Sequence, residues 1–123
     1  MDTINFDEFE KVDIRIGTVT NAEVPAWSHW VMRITVDLGK DLGEKKCFSG
    51  IMNFFKPEDL VGKQFPFVVN LKPRTIGPEK ELSEAMMIMA CPGDASEDPK
   101  AQEETPTVLF QLPEKVENGT KVR

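Results

Sequence analysis

Alternating apolar and polar residues predict a first strand close to the start of the chain. Residues 12–16 carry apolar side chains at every second position, and this period of two is typical of a half-buried strand. Beyond Gly17 the apolar position shifts by one, to Val19, as a bulge or bend at a strand glycine would produce. The first strand is therefore predicted to curve, as a barrel strand must.

A second alternating run follows at residues 32–38 and predicts strand two. Its inward-facing residues are Met32, Ile34, Val36 and Leu38, with polar residues between them. Glycines at 39 and 43 then predict a turn. A shorter third strand is predicted at residues 45–49.

Two further strands are predicted where both sides of the chain are apolar, because such runs are typical of strands covered on two faces. They are residues 65–71 and 85–91. Asn5 and Glu8 predict a capped helix at the start of the chain. Pro57, followed by acids and a glycine, predicts one helical turn before strand four. An added strand is predicted at residues 108–112, and a turn is predicted at residues 118–120.

Three strands, a short helix and two more strands are the element order of an OB-fold barrel, although a small β-sandwich has similar counts. The predicted fold class is all-β with short helices: a five-stranded OB-fold barrel plus a C-terminal extension. The 123 residues are enough for one domain. Within it we expect a core barrel at 6–91, an acidic loop at 92–107 and the C-terminal extension at 108–123.

The charge of the chain is concentrated in one segment. The net charge is −6, and residues 94–104 contain five acids and one base. The wider segment from Pro92 to Pro106 is rich in Pro, Gly, Ser and acids, so it is predicted to be a mobile, solvated loop. Acidity argues against nucleic-acid binding only where it lies near the binding face.

No residue pattern indicates catalysis, so the protein is not expected to be an enzyme. His29 is the only histidine and has no neighbouring carboxylate to orient it, and no nucleophile, dinucleotide or phosphate-loop motif is present. Cys47 and Cys91 stand alone, which predicts two reduced core thiols, no metal and no cofactor. The start of the chain lacks a signal-peptide pattern and no apolar run has membrane length, so a cytoplasmic location is expected.

Candidate binding residues fall into two groups of cations. Arg15 and Arg33 alternate with the apolar positions of strands one and two, which predicts that they share the outer barrel face that OB folds use for oligonucleotides. A solubilising surface is the alternative. In the segment Asn70-Leu71-Lys72-Pro73-Arg74, two cations flank a proline that stiffens the exit from strand four. They are placed to contact a phosphate.

Aromatic residues offer a second kind of contact. Trp27 and Trp30 precede strand two in a predicted loop, where they could stack on a base or grip an apolar peptide. The methionine run at 86–89 could be an adaptable binding surface, but core packing is the favoured interpretation.

Several segments together resemble the tRNA-binding domain found at the C-terminus of methionyl-tRNA synthetases, in EMAPII-type cytokine precursors and in free-standing bacterial proteins. These segments are VDIRIGTV (12–19), VDLG (36–39), SGI (49–51), PEDLVG (57–62) and NLKPR (70–74). Among free-standing members the chain is most similar to the CsaA-type export chaperones.

The resemblance implies an OB fold, binding of tRNA or another structured RNA, and a homodimer. It places ligand contacts at Asn70, Lys72, Arg74, Ser83 and Met86. The alternative function is a CsaA-like chaperone that binds unfolded polypeptides. The segment AWSHW (26–30) replaces a lysine-containing stretch of the family, which predicts weak or altered nucleic-acid affinity.

Overall fold

The structure is a computed structural model that describes residues 1–123. The protein consists mainly of short antiparallel strands. The helices are α1 (Phe6–Glu10) and α2 (Pro99–Glu104), with single 3-10 turns at Pro57–Asp59 and Pro92–Ala95. The strands are β1 (Ile14–Glu23), β2 (Met32–Asp37), β3 (Glu44–Ser49), β4 (Gln64–Val68), β5 (Arg74–Ile76), β6 (Glu81–Ser83), β7 (Met86–Met87), β8 (Met89–Ala90), β9 (Val108–Leu109) and β10 (Lys121–Val122). None of the helices is long and apolar enough to cross a bilayer.

Five strands form a nearly closed antiparallel barrel in the order β3-β2-β1-β4-β7. The chain beside β7 returns to β3, where the backbone N–H of Glu84 donates to the carbonyl of Lys46 at 2.8 Å. The N–H of Phe48 donates to the hydroxyl of Ser83 at 3.2 Å. One sheet thus curls onto itself, which confirms the OB-type barrel and excludes the sandwich.

The barrel interior is apolar, as the pattern on strand two predicts. Thirteen buried residues form one cluster, and the side chains of Met32, Ile34, Val36 and Leu38 are all within it. Phe65 and Phe67 of β4 join them. All five residues of β4 are buried, so the prediction of a strand covered on both faces is confirmed there.

Strand β1 changes partner along its length. Its first residues, Ile14 and Arg15, pair with β10, whereas residues 18–23 pair with β2. The pairing with β2 shifts register between Val19 and Asn21. The predicted bulge is therefore present, but it lies three residues after Gly17 and not at the glycine itself. A bulge increases local twist and lets one strand border both halves of the barrel.

The predicted fifth strand is broken in two. β7 pairs with β4, and β8 leaves the barrel to pair with β9. The prediction that residues 85–91 are covered on both sides is wrong at Met86, which is exposed, while Met87 is buried. The added strand β9 takes over pairing just where the barrel strand ends.

The acidic segment is not an irregular loop as predicted. It contains the 3-10 turn at Pro92–Ala95 and helix α2. The carboxylate of Asp98 accepts the N–H of Lys100 at 3.0 Å, and Pro99 occupies the first turn. These two residues are a standard helix start. The loop prediction for this segment is wrong because the acids around them are typical of a solvated loop.

The two ends of the chain are held in different ways. In α1 the carboxylate of Glu8 accepts the N–H of Asn5 at 3.2 Å. The predicted turn at residues 118–120 is confirmed, since the N–H of Thr120 donates to the carbonyl of Glu117 at 3.1 Å. The N–H of Gly119 donates to the carbonyl of Ile16 at 2.7 Å, and the N–H of Ile16 donates to the carbonyl of Thr120 at 2.9 Å. The C-terminal extension is thus fixed to β1.

Candidate functional site

Four of the predicted contact residues line one groove beside strand β3. The groove has a volume of about 260 Å³ and lies where the β5–β6 hairpin leaves and rejoins the barrel. Its lining includes Lys72, Arg74, Ser83 and Met86, together with Phe48, Leu71, Glu84 and Ala85. We call it the hairpin groove.

Lys72 and Arg74 are the free cations of the hairpin groove. Both are exposed, and neither takes part in any of the five ion pairs of the structure. Pro73 between them restricts the backbone. Two unpaired cations at one end of a groove can donate several charge-assisted hydrogen bonds to a phosphate or carboxylate.

Phe48 provides an aromatic wall for the groove. It lies opposite Arg33 in the β2–β3 pairing, and its ring is 6.3 Å from that of Trp27 and 5.8 Å from the guanidinium carbon of Arg33. The ring is therefore held between an indole and a cation. Only a small part of Phe48 is available to a ligand, since the residue is 7% exposed.

The cations on strands β2 and β3 are already paired. Arg33 binds Glu23 at 3.0 Å and also Glu81 of the hairpin, and Lys46 lies 3.4 Å from the same Glu81. The hydrogen bond from Arg33 lowers the pKa of Glu81, and Glu81 in turn raises the pKa of Arg33. This cluster remains charged at neutral pH, and its attraction holds the hairpin against the barrel.

Asn70 uses its side chain to anchor the chain start. Its oxygen accepts the N–H of Asp13 at 2.9 Å, and its amide nitrogen donates to the carbonyl of Lys11 at 2.6 Å. Both polar ends are thus bonded to backbone. The geometry gives Asn70 a positioning role at the base of the hairpin segment.

Arg15 lies apart from Arg33, so the predicted shared face does not form. Its guanidinium binds Asp13 at 2.7 Å and the carbonyl of Gly119 at 3.1 Å. It lines a different cavity, of about 280 Å³, together with the 39–43 turn region and the C-terminal turn. The two arginines sit near opposite ends of β1, because Arg15 pairs with β10 and Arg33 pairs with Glu23.

The two tryptophans are not a joint stacking surface, and neither lines the hairpin groove. Trp27 packs under the hairpin turn so closely that a Cβ on Gly77 would lie 2.5 Å from its ring. Trp30 packs edge-on to Phe54, with ring centres 6.2 Å apart, and borders a cavity facing the acidic segment. Trp27 therefore supports the hairpin.

Phe48 is a site residue that sequence reasoning does not select, and the ion-pair partners of Glu81 and Glu84 are not predicted either. Phe48 belongs to a short strand whose parity was not assigned, and its position opposite Arg33 becomes visible only with the β2–β3 register. The residues Glu81 and Glu84 pair with cations more than thirty positions away in the sequence, on β2 and β3. No local pattern indicates such long-range partners.

Other reactive side chains are scattered. No group of three or more His, Cys, Asp or Glu could hold a metal ion. Burial raises the pKa of the Cys47 thiol to about 12, whereas Cys91 is exposed, so only one of the two thiols is a core residue as predicted. His29 is exposed. The hairpin groove is the site with the clearest chemistry.

A five-stranded antiparallel barrel with a cationic groove beside strand β3 is the architecture of an OB-fold binding domain. Residues 14–121 match the family described as "Putative tRNA binding domain". The chain therefore belongs to this tRNA-binding domain family.

Relatives fall into two groups. The methionine–tRNA ligase of Thiobacillus denitrificans is 35% identical over 99% of this chain, which corresponds to 17% of the ligase. This chain thus spans less than a fifth of that curated relative. Among solved structures, the chaperone CsaA of Bacillus anthracis is 33% identical with a TM-score of 0.79, covering 99% of this chain and 100% of that one. A MetRS-related protein of Pyrococcus horikoshii is 31% identical with a TM-score of 0.81, and both chains are covered completely.

Proposed function

We propose that this protein binds tRNA or another structured RNA through the hairpin groove and performs no catalytic step. The observation that carries this proposal is the pair of unpaired cations, Lys72 and Arg74, in a groove with an aromatic wall. The family match gives the ligand class. A cytoplasmic location is part of the proposal because tRNA is found there.

Each groove residue has a different role in this mechanism. Lys72 and Arg74 donate to backbone phosphates, which supplies most of the affinity without sequence preference. Met86 and the exposed part of Phe48 offer an apolar contact to an unpaired base. The hydroxyl of Ser83 already accepts a hydrogen bond from the N–H of Phe48. Its role is therefore to hold Phe48 in the wall of the groove.

The acidity of the chain limits how tightly this site binds. Most of the net negative charge of −6 lies at residues 94–104, which hold five acids and one base, and this segment does not line the hairpin groove. Its repulsion of a polyanion is screened within about 8 Å at physiological salt. We therefore expect modest affinity that falls as salt increases.

A titration with fluorescently labelled tRNA at several salt concentrations tests this function. Two phosphate contacts should make the logarithm of the binding constant fall with the logarithm of salt concentration, with a slope of about −1.4 to −1.8. Binding that is absent at low ionic strength, or unaffected by salt, contradicts the proposal.

A homodimer is also proposed, and the N-terminal segment supports it. Helix α1 has five residues and buries none of them, although Ile4, Phe6 and Phe9 are large and apolar. So short a helix is not stable without packing, and a second copy of this chain is the partner that we propose to cover it.

Sedimentation equilibrium should give twice the chain mass, and Phe6→Asp should give the monomer. A monomeric wild-type protein contradicts this assignment.

Polypeptide binding is the second candidate function. Leu71 and Met86 line the groove and are exposed, so the same surface can hold an apolar segment. The solved CsaA chaperone of similar fold is consistent with it. If this function operates, the protein should suppress aggregation of an unfolded test protein, and labelled tRNA should compete with that activity.

A further inference from the structure

The geometry points to a second phosphate site, formed by Arg33 and Lys46, that the carboxylate of Glu81 occupies in place of a nucleic-acid phosphate. This inference rests on the proposed RNA-binding function and adds a residue that limits affinity. We call the three residues the Glu81 cluster.

The Glu81 cluster lies on the outer face of strands β2 and β3. Arg33 is opposite Phe48 and Thr35 is opposite Lys46 in the register of these strands, while the inward positions of β2 fill the core. The two cations therefore share one barrel face with the aromatic ring of Phe48. Cations next to an aromatic ring are the components of a single-strand binding surface.

The β5–β6 hairpin covers this face and inserts Glu81 between the cations. Glu81 accepts from a terminal nitrogen of Arg33 through one oxygen and from Lys46 at 3.4 Å through the other. Only 18% of the Arg33 side chain and 14% of the Glu81 side chain are exposed. A carboxylate offers arginine the same oxygen geometry as a phosphate, so Glu81 acts here as an internal anion.

Glu81 does not use the full donor capacity of Arg33. The second terminal nitrogen binds Glu23 at 3.0 Å, but the Nε–H is buried with no hydrogen-bond acceptor. A buried donor without a partner is costly. A phosphate has more acceptor oxygens than a carboxylate and can also accept the Nε–H of Arg33. Replacing Glu81 by a phosphate at this position would therefore add a hydrogen bond.

The hairpin is attached weakly enough for this exchange. β5 and β6 form a separate two-stranded sheet of three residue pairs. Their link to the barrel consists of the packing of Trp27 at Gly77 and, on β2 and β3, of the Glu84 backbone bond, the Ser83 hydroxyl contact and ion pairs. Segments with few buried contacts open at low free energy, and the ion pairs weaken as salt or a competing polyanion is added.

Glu81→Gln tests this inference, and Glu79→Gln is its matched control. Both variants remove one negative charge from the hairpin, but Glu79 is exposed and makes no ion pair. With tRNA as the probe, Glu81→Gln should bind on the order of tenfold tighter, and its salt slope should steepen by up to about 1.4 because two cations become available. Glu79→Gln should change affinity less than about twofold and leave the slope unchanged.

The double variant Arg33→Gln/Glu81→Gln tests whether Arg33 is the cation that binds the phosphate. It should lose most of the gain in tRNA affinity that Glu81→Gln produces. Equal effects of the two single variants, or weaker binding by Glu81→Gln, overturn the second phosphate site while leaving the proposed function intact. Retention of the full gain in the double variant also overturns it. Absence of salt-dependent tRNA binding in the wild type and in every variant rejects the proposed function itself.

Discussion

Replacing Lys72 and Arg74 together by alanine should weaken tRNA binding by about 100-fold. Each residue is expected to contribute one phosphate contact of about 1.4 kcal/mol, and each such increment is tenfold in the binding constant. The salt slope should become flatter by about 1.4, since two contacts of about 0.7 each are lost. Both side chains are exposed and unpaired, so the folded state should lose little stability.

The matched control is Lys63→Ala/Lys115→Ala. These two lysines line a separate cavity beside Gln64 and Leu112, and their removal changes the net charge by the same amount. If the control double variant weakens binding as much as Lys72→Ala/Arg74→Ala, general charge and not the hairpin groove determines affinity. If only the groove variant loses affinity, the site is local.

Gly39→Ala should be the most destabilising of the small substitutions considered, at about 3–4 kcal/mol. Gly39 has φ of +91°, which costs an alanine about 1–2 kcal/mol. A Cβ there would also overlap the carbonyl oxygen of Asn118. Moving that turn breaks the two backbone bonds between Ile16 and the C-terminal turn, each of about 1 kcal/mol. Urea unfolding measures the change.

Gly62→Ala measures the conformational part of this effect without the steric part. Gly62 has φ of +84°, and a Cβ there would meet nothing within 4 Å. It should therefore cost only the conformational strain, about 1–2 kcal/mol. Equal destabilisation by Gly39→Ala and Gly62→Ala would show that the C-terminal turn does not depend on close approach to Gly39.

The strands that alternate strongly are also those that sequence predicts well. β2 has three inward residues with polar residues between them, and Leu38 directly after the strand continues the alternation; all four are in the core cluster. The β5–β6 hairpin was not predicted because its strands have three residues each and lie mostly at the surface. The covered face of β6 carries Glu81 and Ser83, and a strand whose inward side chains are polar leaves no apolar periodic signal.

Helix α2 and strand β8 show a different limit. The acids of 94–104 are typical of a solvated loop, yet Asp98 and Pro99 start a helix within them. The run of apolar residues at 85–91 predicts one continuous strand, but the chain changes partner from β4 to β9 within it. Partner exchange is a tertiary event that a period of two cannot record.

The sequence and its family resemblance predict four residues of the groove lining, but not how the fold arranges them. Lys72 and Arg74 follow from a local motif, and the fold brings Ser83 and Met86 beside them. The motif does not show that Glu81 neutralises Arg33, because that contact joins residues on separate sheets. The sequence also does not predict which aromatic residues are exposed. Trp27 is covered by the hairpin turn, which approaches its ring at Gly77.

Mapping of tRNA contacts on ¹⁵N-labelled protein tests the central claim most directly. On addition of tRNA, the largest amide shift changes should occur in residues 70–86 and at Phe48, which together form the hairpin groove and its cover. Residues 94–104 and α1 should change little. Changes confined to α1 or to the acidic segment, with residues 70–86 unaffected, would contradict the assignment of RNA binding to this groove.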